Sequence, residues 1–263
     1  MIFNQRFRLM KSNILIRFVI AGTLLVAGSA NATVIDDFES FDPLNYTTTV
    51  ILDNGAGGSN TSALGAVGGE VVFETTFVEG NSVEQLAIIR NGVTLEIGEE
   101  LQLDVVRGLD ADRALRGNQD FGLYVGSAPV TAAPGADTRV NYITAHQRDD
   151  GADVQSALFN DDNLGGVTAG FGGDPAYDTL FIARTGADTY DAGYYNAGVR
   201  TALRSGVTIT TDPAGPAIGF YADVRGVDVL ESGYDNLSIV PEPSAIALAA
   251  LAGLALCGIR RKR

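Results

Sequence analysis

The chain has 263 residues, is 46% hydrophobic, and sets 18 basic against 32 acidic residues for a formal charge of −14. That acidic balance disfavours nucleic acid and anionic membrane surfaces as partners. One Cys, one His and no Trp exclude a thiolate metal centre, a His-rich zinc site and the commonest sugar-stacking side chain.

Residues 1–32 read as a signal peptide. Arg6, Arg8, Lys11 and Arg17 form a positive n-region, and Phe18 to Gly28 an uncharged apolar h-region. Ala30 and Ala32 supply the small residues of an A-x-A site, which predicts signal peptidase cleavage after Ala32. The alternative, an uncleaved anchor, asks more of this h-region than its length offers.

Residues 33–239 read as one domain. They hold ten of the basic residues, all Arg, and 31 of the acids, a formal charge of −21. The only Cys, Cys257, lies beyond them, so the domain has no disulfide. Short runs with a period of two succeed one another along it. They are Val71 to Val78, Leu86 to Ile89, Val93 to Ile97, Leu101 to Val105, Phe121 to Val125 and Val140 to Ala145. Thr179 to Arg184, Thr189 to Tyr195, Val207 to Thr211, Ile218 to Val224 and Asn236 to Val240 complete the series. Asn91-Gly92 predicts a hairpin turn, because both residues tolerate positive φ. Gly-rich stretches at 54–58, 165–166 and 170–173 break helices, and no 3.6-residue period appears. The pattern predicts an all-β fold, a two-sheet jelly-roll β-sandwich.

Three kinds of chemistry can be weighed on this frame. Asp149, Asp150 and Asp153, with Asp161 and Asp162, are hard oxygen donors of the kind calcium takes, although the spacing is not that of an EF-hand. The same residues also suit turns, where their side chains bond the local backbone. Tyr190, Tyr194 and Tyr195 share a predicted strand near Arg184, with Tyr190 and Tyr194 on one face. They are candidates for ligand binding, or else one face fills the core. His146 reads as a surface or loop-edge residue, and no G-x-S-x-G surrounds any Ser. The paired carboxylates of a retaining glycosidase are also missing as an E-x-D-x-x-E strand. Glu96, Glu99 and Glu100 lack the intervening Asp, and Glu231 and Asp235 flank a Gly-Tyr turn. No catalytic residue is assigned.

The segments T-L-F-I-A-R-T-G-A-D-T-Y-D-A-G-Y-Y at 179–195, A-I-G-F-Y-A-D at 217–223 and Y-D-N-L-S-I at 234–239 carry a family likeness. Together they resemble the concanavalin A-like, laminin G-like jelly roll, with the galactose-binding-like jelly roll as the nearest competitor. The resemblance implies that an opening strand, Val34 to Phe38, pairs near the closing strand.

The chain finishes on V-P-E-P-S at 240–244, a 15-residue apolar run from Ala245 to Ile259, and Arg260, Arg261, Lys262 and Arg263. As a helix that run reaches only ~22 Å, short of the ~30 Å hydrocarbon core. The terminal cations favour the cytoplasmic side, which places the domain outside. Motif, hydrophobic helix and basic end over 240–263 resemble the PEP-CTERM sorting tail. The resemblance implies that exosortase reads Pro241, Glu242 and Pro243 after a transient membrane contact through the helix. Beyond the export machinery, signal peptidase and exosortase, it implies an extracellular polysaccharide as partner. The expectation is an exported, non-catalytic surface or matrix protein, with a carbohydrate-binding module and a glycan-active hydrolase as alternatives.

Overall fold

A computed structural model of the chain describes residues 32–53, 61–76, 84–111, 119–149, 154–161, 165–172, 177–224 and 229–242. The expected signal helix and C-terminal sorting helix fall outside them. No described helix is long and apolar enough to cross a membrane. Residues Thr33–Ile239 form one compact unit, and that unit is all-β. A single 3-10 turn, Pro43–Asn45, is the only helical element among the described residues.

The first sheet is built from β1 (Thr33–Asp36), β3 (Thr61–Val67), β4 (Glu70–Thr76), β6 (Glu99–Ala111), β11 (Thr179–Arg184), β12 (Thr189–Asn196), β13 (Val199–Thr208) and β15 (Val229–Pro241). Its order is β13-β12-β11-β6-β15-β4-β3, with β1 also on β15. The second sheet takes β2 (Tyr46–Asp53), β5 (Glu84–Thr94), β7 (Gln119–Gly126), β8 (Tyr142–Asp149), β9 (Val154–Asp161), β10 (Gly165–Gly172) and β14 (Ala217–Val224). Its order is β10-β9-β8-β7-β14-β5-β2.

Alternation decides which residues go inside. Leu101 and Leu103, Leu180 and Ile182, and Tyr190 and Ala192 face inward from the first sheet. Phe121, Leu123 and Val125, with Ile218, Phe220 and Ala222, meet them from the second. Burying each large apolar side chain contributes about 1.5–3 kcal/mol. Phe121 sits at the centre, with ring centroids 5.8 Å from Phe73, 5.5 Å from Phe220 and 5.8 Å from Tyr234. Phe73 and Tyr234 belong to one sheet, Phe121 and Phe220 to the other, so this aromatic group joins the two layers.

The opening strand pairs with the closing one as expected, with Thr33 opposite Ile239 and Val34 opposite Ser238. It ends at Asp36 rather than Phe38. There the Asp36 carboxylate accepts the Phe38 N–H, and Phe38, at φ 54°, turns into the core. Two other expectations change. Asn91-Gly92 makes no hairpin; β5 continues through it. Ile89 faces Gly219 and Thr94 faces Ala217, so residues 90–93 bulge outward against Ile218 alone. Gly92, at φ 72°, supplies the positive φ that the motif signals, but for a bulge. The chain turns later, at Glu96–Glu99, on its way to the other sheet. The Gly-Tyr pair between Glu231 and Asp235 lies inside β15 and makes no turn. The Gly-rich 165–172 segment, expected to break helices, is strand β10.

Replacing Phe121 by Ala removes the ring that both layers share. Urea melts should show a loss of about 3–5 kcal/mol. Val67→Ala, at a side chain 68% exposed on β3, should change stability by less than about 0.5 kcal/mol.

Candidate functional site

The residues that alternate outward on β6, β11, β12 and β13 form a polar and aromatic platform on the first sheet. Glu100 is fully buried at its centre. Its carboxylate accepts hydrogen bonds from Gln102 Nε2 at 2.7 Å, Tyr195 Oη at 2.8 Å and Arg200 Nε at 2.9 Å. The Arg200 guanidinium lies 4.0 Å from the centre of the Phe181 ring, and Tyr195 meets the same ring edge-on. Gly193 makes this packing possible. A Cβ there would fall 2.0 Å from the Thr201 carbonyl oxygen and 2.9 Å from Phe181 Cε1. Burial, and then the charge of Glu100, push the Tyr195 phenol above its ordinary range, so it stays a donor. At the rim, Asp104 accepts from Thr179 Oγ1 at 3.3 Å. Burial raises its pKa above the ordinary 3.8, and the nearby Asp235 and Asp178 add to the rise.

Of the predicted ligand residues only Tyr195 joins this platform. Tyr190 is buried in the core, where its hydroxyl meets Thr211 Oγ1 at 3.3 Å. Tyr194 packs on Tyr177 beside the same core. Arg184 donates to the carbonyls of Leu95 and Ala187 and so ties two turns together. The four residues do not converge on one surface.

The predicted calcium segment is also divided. Asp149 faces Gln155, at one end of the β8–β9 hairpin. Asp161 faces Ile143, at the other end. At about 3.3 Å per residue the two lie ~20 Å apart. Asp150, Asp153 and Asp162 fall outside the described residues. No group of three metal-ligating residues occurs among the described residues. Pro241 ends β15 and Glu242 follows it; Ala32 is the first described residue, and Ala30 and Pro243 are outside.

The outer face of the second sheet carries what the sequence did not signal. His146 is not a surface residue: it is fully buried on β8. Gly122 lies opposite it on β7, and Tyr221 lies opposite Gly122 on β14. The two rings lean toward each other over Gly122, with centroids 5.1 Å apart. A Cβ on Gly122 would fall 2.7 Å from His146 Cβ. His146 Nδ1 lies 3.1 Å from Thr144 Oγ1, and Nε2 lies 3.4 Å from Asp120 Oδ2. Gln85 Nε2 donates to Asp223 at 2.8 Å, and Arg139 Nη1 donates to Gln85 Oε1 at 2.9 Å. Arg139 belongs to a strap, residues 127–141, that bonds to β2. Ala132 N–H donates to Val50 O, and Thr138 N–H to Ile51 O. Hydroxyl, imidazole and carboxylate thus stand in contact, as in a nucleophilic triad, yet all three are fully buried. The group acts as a buried polar core on the outer face of the second sheet.

No protein-family model matches the chain, and no curated protein matches it. Among solved structures it is similar to a protein of unknown function from Shewanella oneidensis MR-1. Identity is 10%, over 82% of this chain and 94% of that one, with a TM-score of 0.40. A likeness at that level carries no inference.

Two predictions follow from the platform. A double-mutant cycle on Glu100 and Arg200 should give a coupling of about 1.5–3 kcal/mol, above the ~0.2–1 of exposed pairs. Asp104→Asn should raise the melting temperature at pH 7. A carboxyl with a raised folded-state pKa is penalised once ionised, and the penalty is absent below its unfolded value. The gain over wild type should therefore shrink to nothing as pH falls below the ordinary 3.8.

Proposed function

We propose that the chain is an exported, non-catalytic surface or extracellular-matrix protein, an interaction or structural component of an exopolysaccharide matrix. Its domain is read as a concanavalin-like jelly roll carried between a signal peptide and a PEP-CTERM tail. The pairing of β1 with β15 is the observation that supports this reading best. Thr33, the residue after the expected signal cleavage, sits across the ladder from Ile239, two residues before the P-E-P stretch. A sandwich whose first and last strands are neighbours suits a domain processed at both ends. A charge of −21 over residues 33–239, with no Lys, keeps such a domain soluble and away from anionic surfaces.

Mass spectrometry of the protein recovered from its native host tests the route. The mature chain should begin at Thr33 and end near Pro241 to Pro243. An intact Arg263 on the mature form would overturn tail processing. Glu242→Ala should hold the precursor at the membrane.

A further inference from the structure

The Asn91-Gly92 bulge has a use beyond fitting β5 into its sheet. It forms one wall of an open cavity of about 460 Å³, within the ~300–1,000 Å³ range of ligand pockets. The opposite wall is the turn Asp212–Gly215, closed by the Gly215 N–H donating to the Asp212 carbonyl at 2.8 Å. Thr94 Oγ1 donates to the Pro216 carbonyl at 2.9 Å and pins this turn to β5. Gly215, at φ 107°, permits the contact, because a Cβ would lie 2.3 Å from Thr94 Oγ1. Arg90 is fixed in the wall as well. Its guanidinium stands 5.4 Å from the Tyr46 ring centre, and Nη1 donates to the Asn45 carbonyl at 3.3 Å. The side chain of Asn91 is held by Thr47 and by the Leu44 carbonyl. The cavity is thus shaped before any ligand arrives.

Its lining narrows the choice of ligand. Arg90 and Asp212 bring one positive and one negative charge, and Asn91 brings an amide. Val93, Pro216 and Ala217 supply apolar wall. Because β14 skips residues 90–93, their backbone groups are released from that side of the ladder. A phosphate or another anion would meet Asp212 and a domain of charge −21. A lipid chain would strip water from the Arg90 guanidinium and the Asp212 carboxylate, a cost that their single hydrogen bonds to Asn45 and Ala214 do not remove. A polyhydroxylated neutral molecule uses all of them, with hydroxyls on the planar polar groups and C–H patches on the apolar wall.

We propose that this cavity is a glycan subsite that takes the mono- or disaccharide end of a neutral polysaccharide. The proposal rests on the exopolysaccharide reading above and names the contact point within it.

The test uses the full chain in a detergent without a sugar headgroup. Glucose, galactose, mannose, N-acetylglucosamine, cellobiose and laminaribiose are titrated by calorimetry, and hydrogen-exchange mass spectrometry locates the binding. At least one sugar should bind and slow exchange at residues 90–94 and 212–217. Asp212→Asn should weaken binding about tenfold, as expected for loss of a hydrogen bond to a charged group. Ala214→Trp, at an exposed turn position, should fill the cavity and abolish binding while leaving the melting temperature unchanged. No binding by any of these sugars overturns the subsite, as does protection elsewhere or binding that survives Ala214→Trp. Retention on native exopolysaccharide that is indifferent to both variants overturns the subsite and spares the matrix role. Sugar bound in the cavity of a protein that never associates with matrix supports the subsite and overturns the matrix role.

Discussion

Tyr234 crosses the space between the two sheets and satisfies both. Its ring packs on Phe121, its hydroxyl donates to the Phe121 carbonyl, and the same oxygen accepts the Gln147 N–H at 3.1 Å. A buried phenol without partners would cost a few kcal/mol, and its two hydrogen bonds hold only if the sheets keep one separation and one register. With Cys257 the only cysteine, no covalent link can do this work within residues 33–239. Apolar burial presses the layers together without direction, and the Tyr234 hydroxyl gives that pressure an address.

The same logic governs the outer faces, where polar groups are buried without a second layer of strands. On the first sheet a single carboxylate, Glu100, is surrounded by three donors and an aromatic floor. On the second, His146 and its neighbours are buried, and a strap spends backbone hydrogen bonds on the edge strand β2. That edge of the sheet is thereby covered, which removes a template for unwanted strand pairing. Glycine serves both sites, because Gly193 and Gly122 are the places where a side chain would separate the groups that must touch.

Strands whose two faces differ in chemistry were legible in the sequence. Thr179–Arg184 appears at the predicted bounds, and the pairing of the first strand with the last follows the expected topology. Strands β9 and β10 were not legible, because Asn, Asp and Gly at their ends read as turn chemistry. Asn91-Gly92 was recognised as a site of positive φ, but φ at one residue does not say whether a chain reverses or bulges; β2 and β14 on either side decide that. The tyrosines were identified as important without their direction being known. Tyr190 and Tyr194 went inward, and only Tyr195 remained for a surface. His146 was misplaced because burial of a histidine depends on what lies opposite, and Gly122, Tyr221 and Asp120 are remote from it in sequence.

The position of β15 also sets how the domain would bear load. Antiparallel ladder bonds run perpendicular to their strands. A pull applied at the Pro241 end acts along β15, which is flanked by β6 on one side and by β4 and β1 on the other. Those rows are sheared together, and the rungs share the force. A pull applied between the two ends of the domain would instead open the rungs between Thr33 and Ile239 one at a time, as a zipper does. A domain held by its last strand alone would therefore be fastened through its stronger direction.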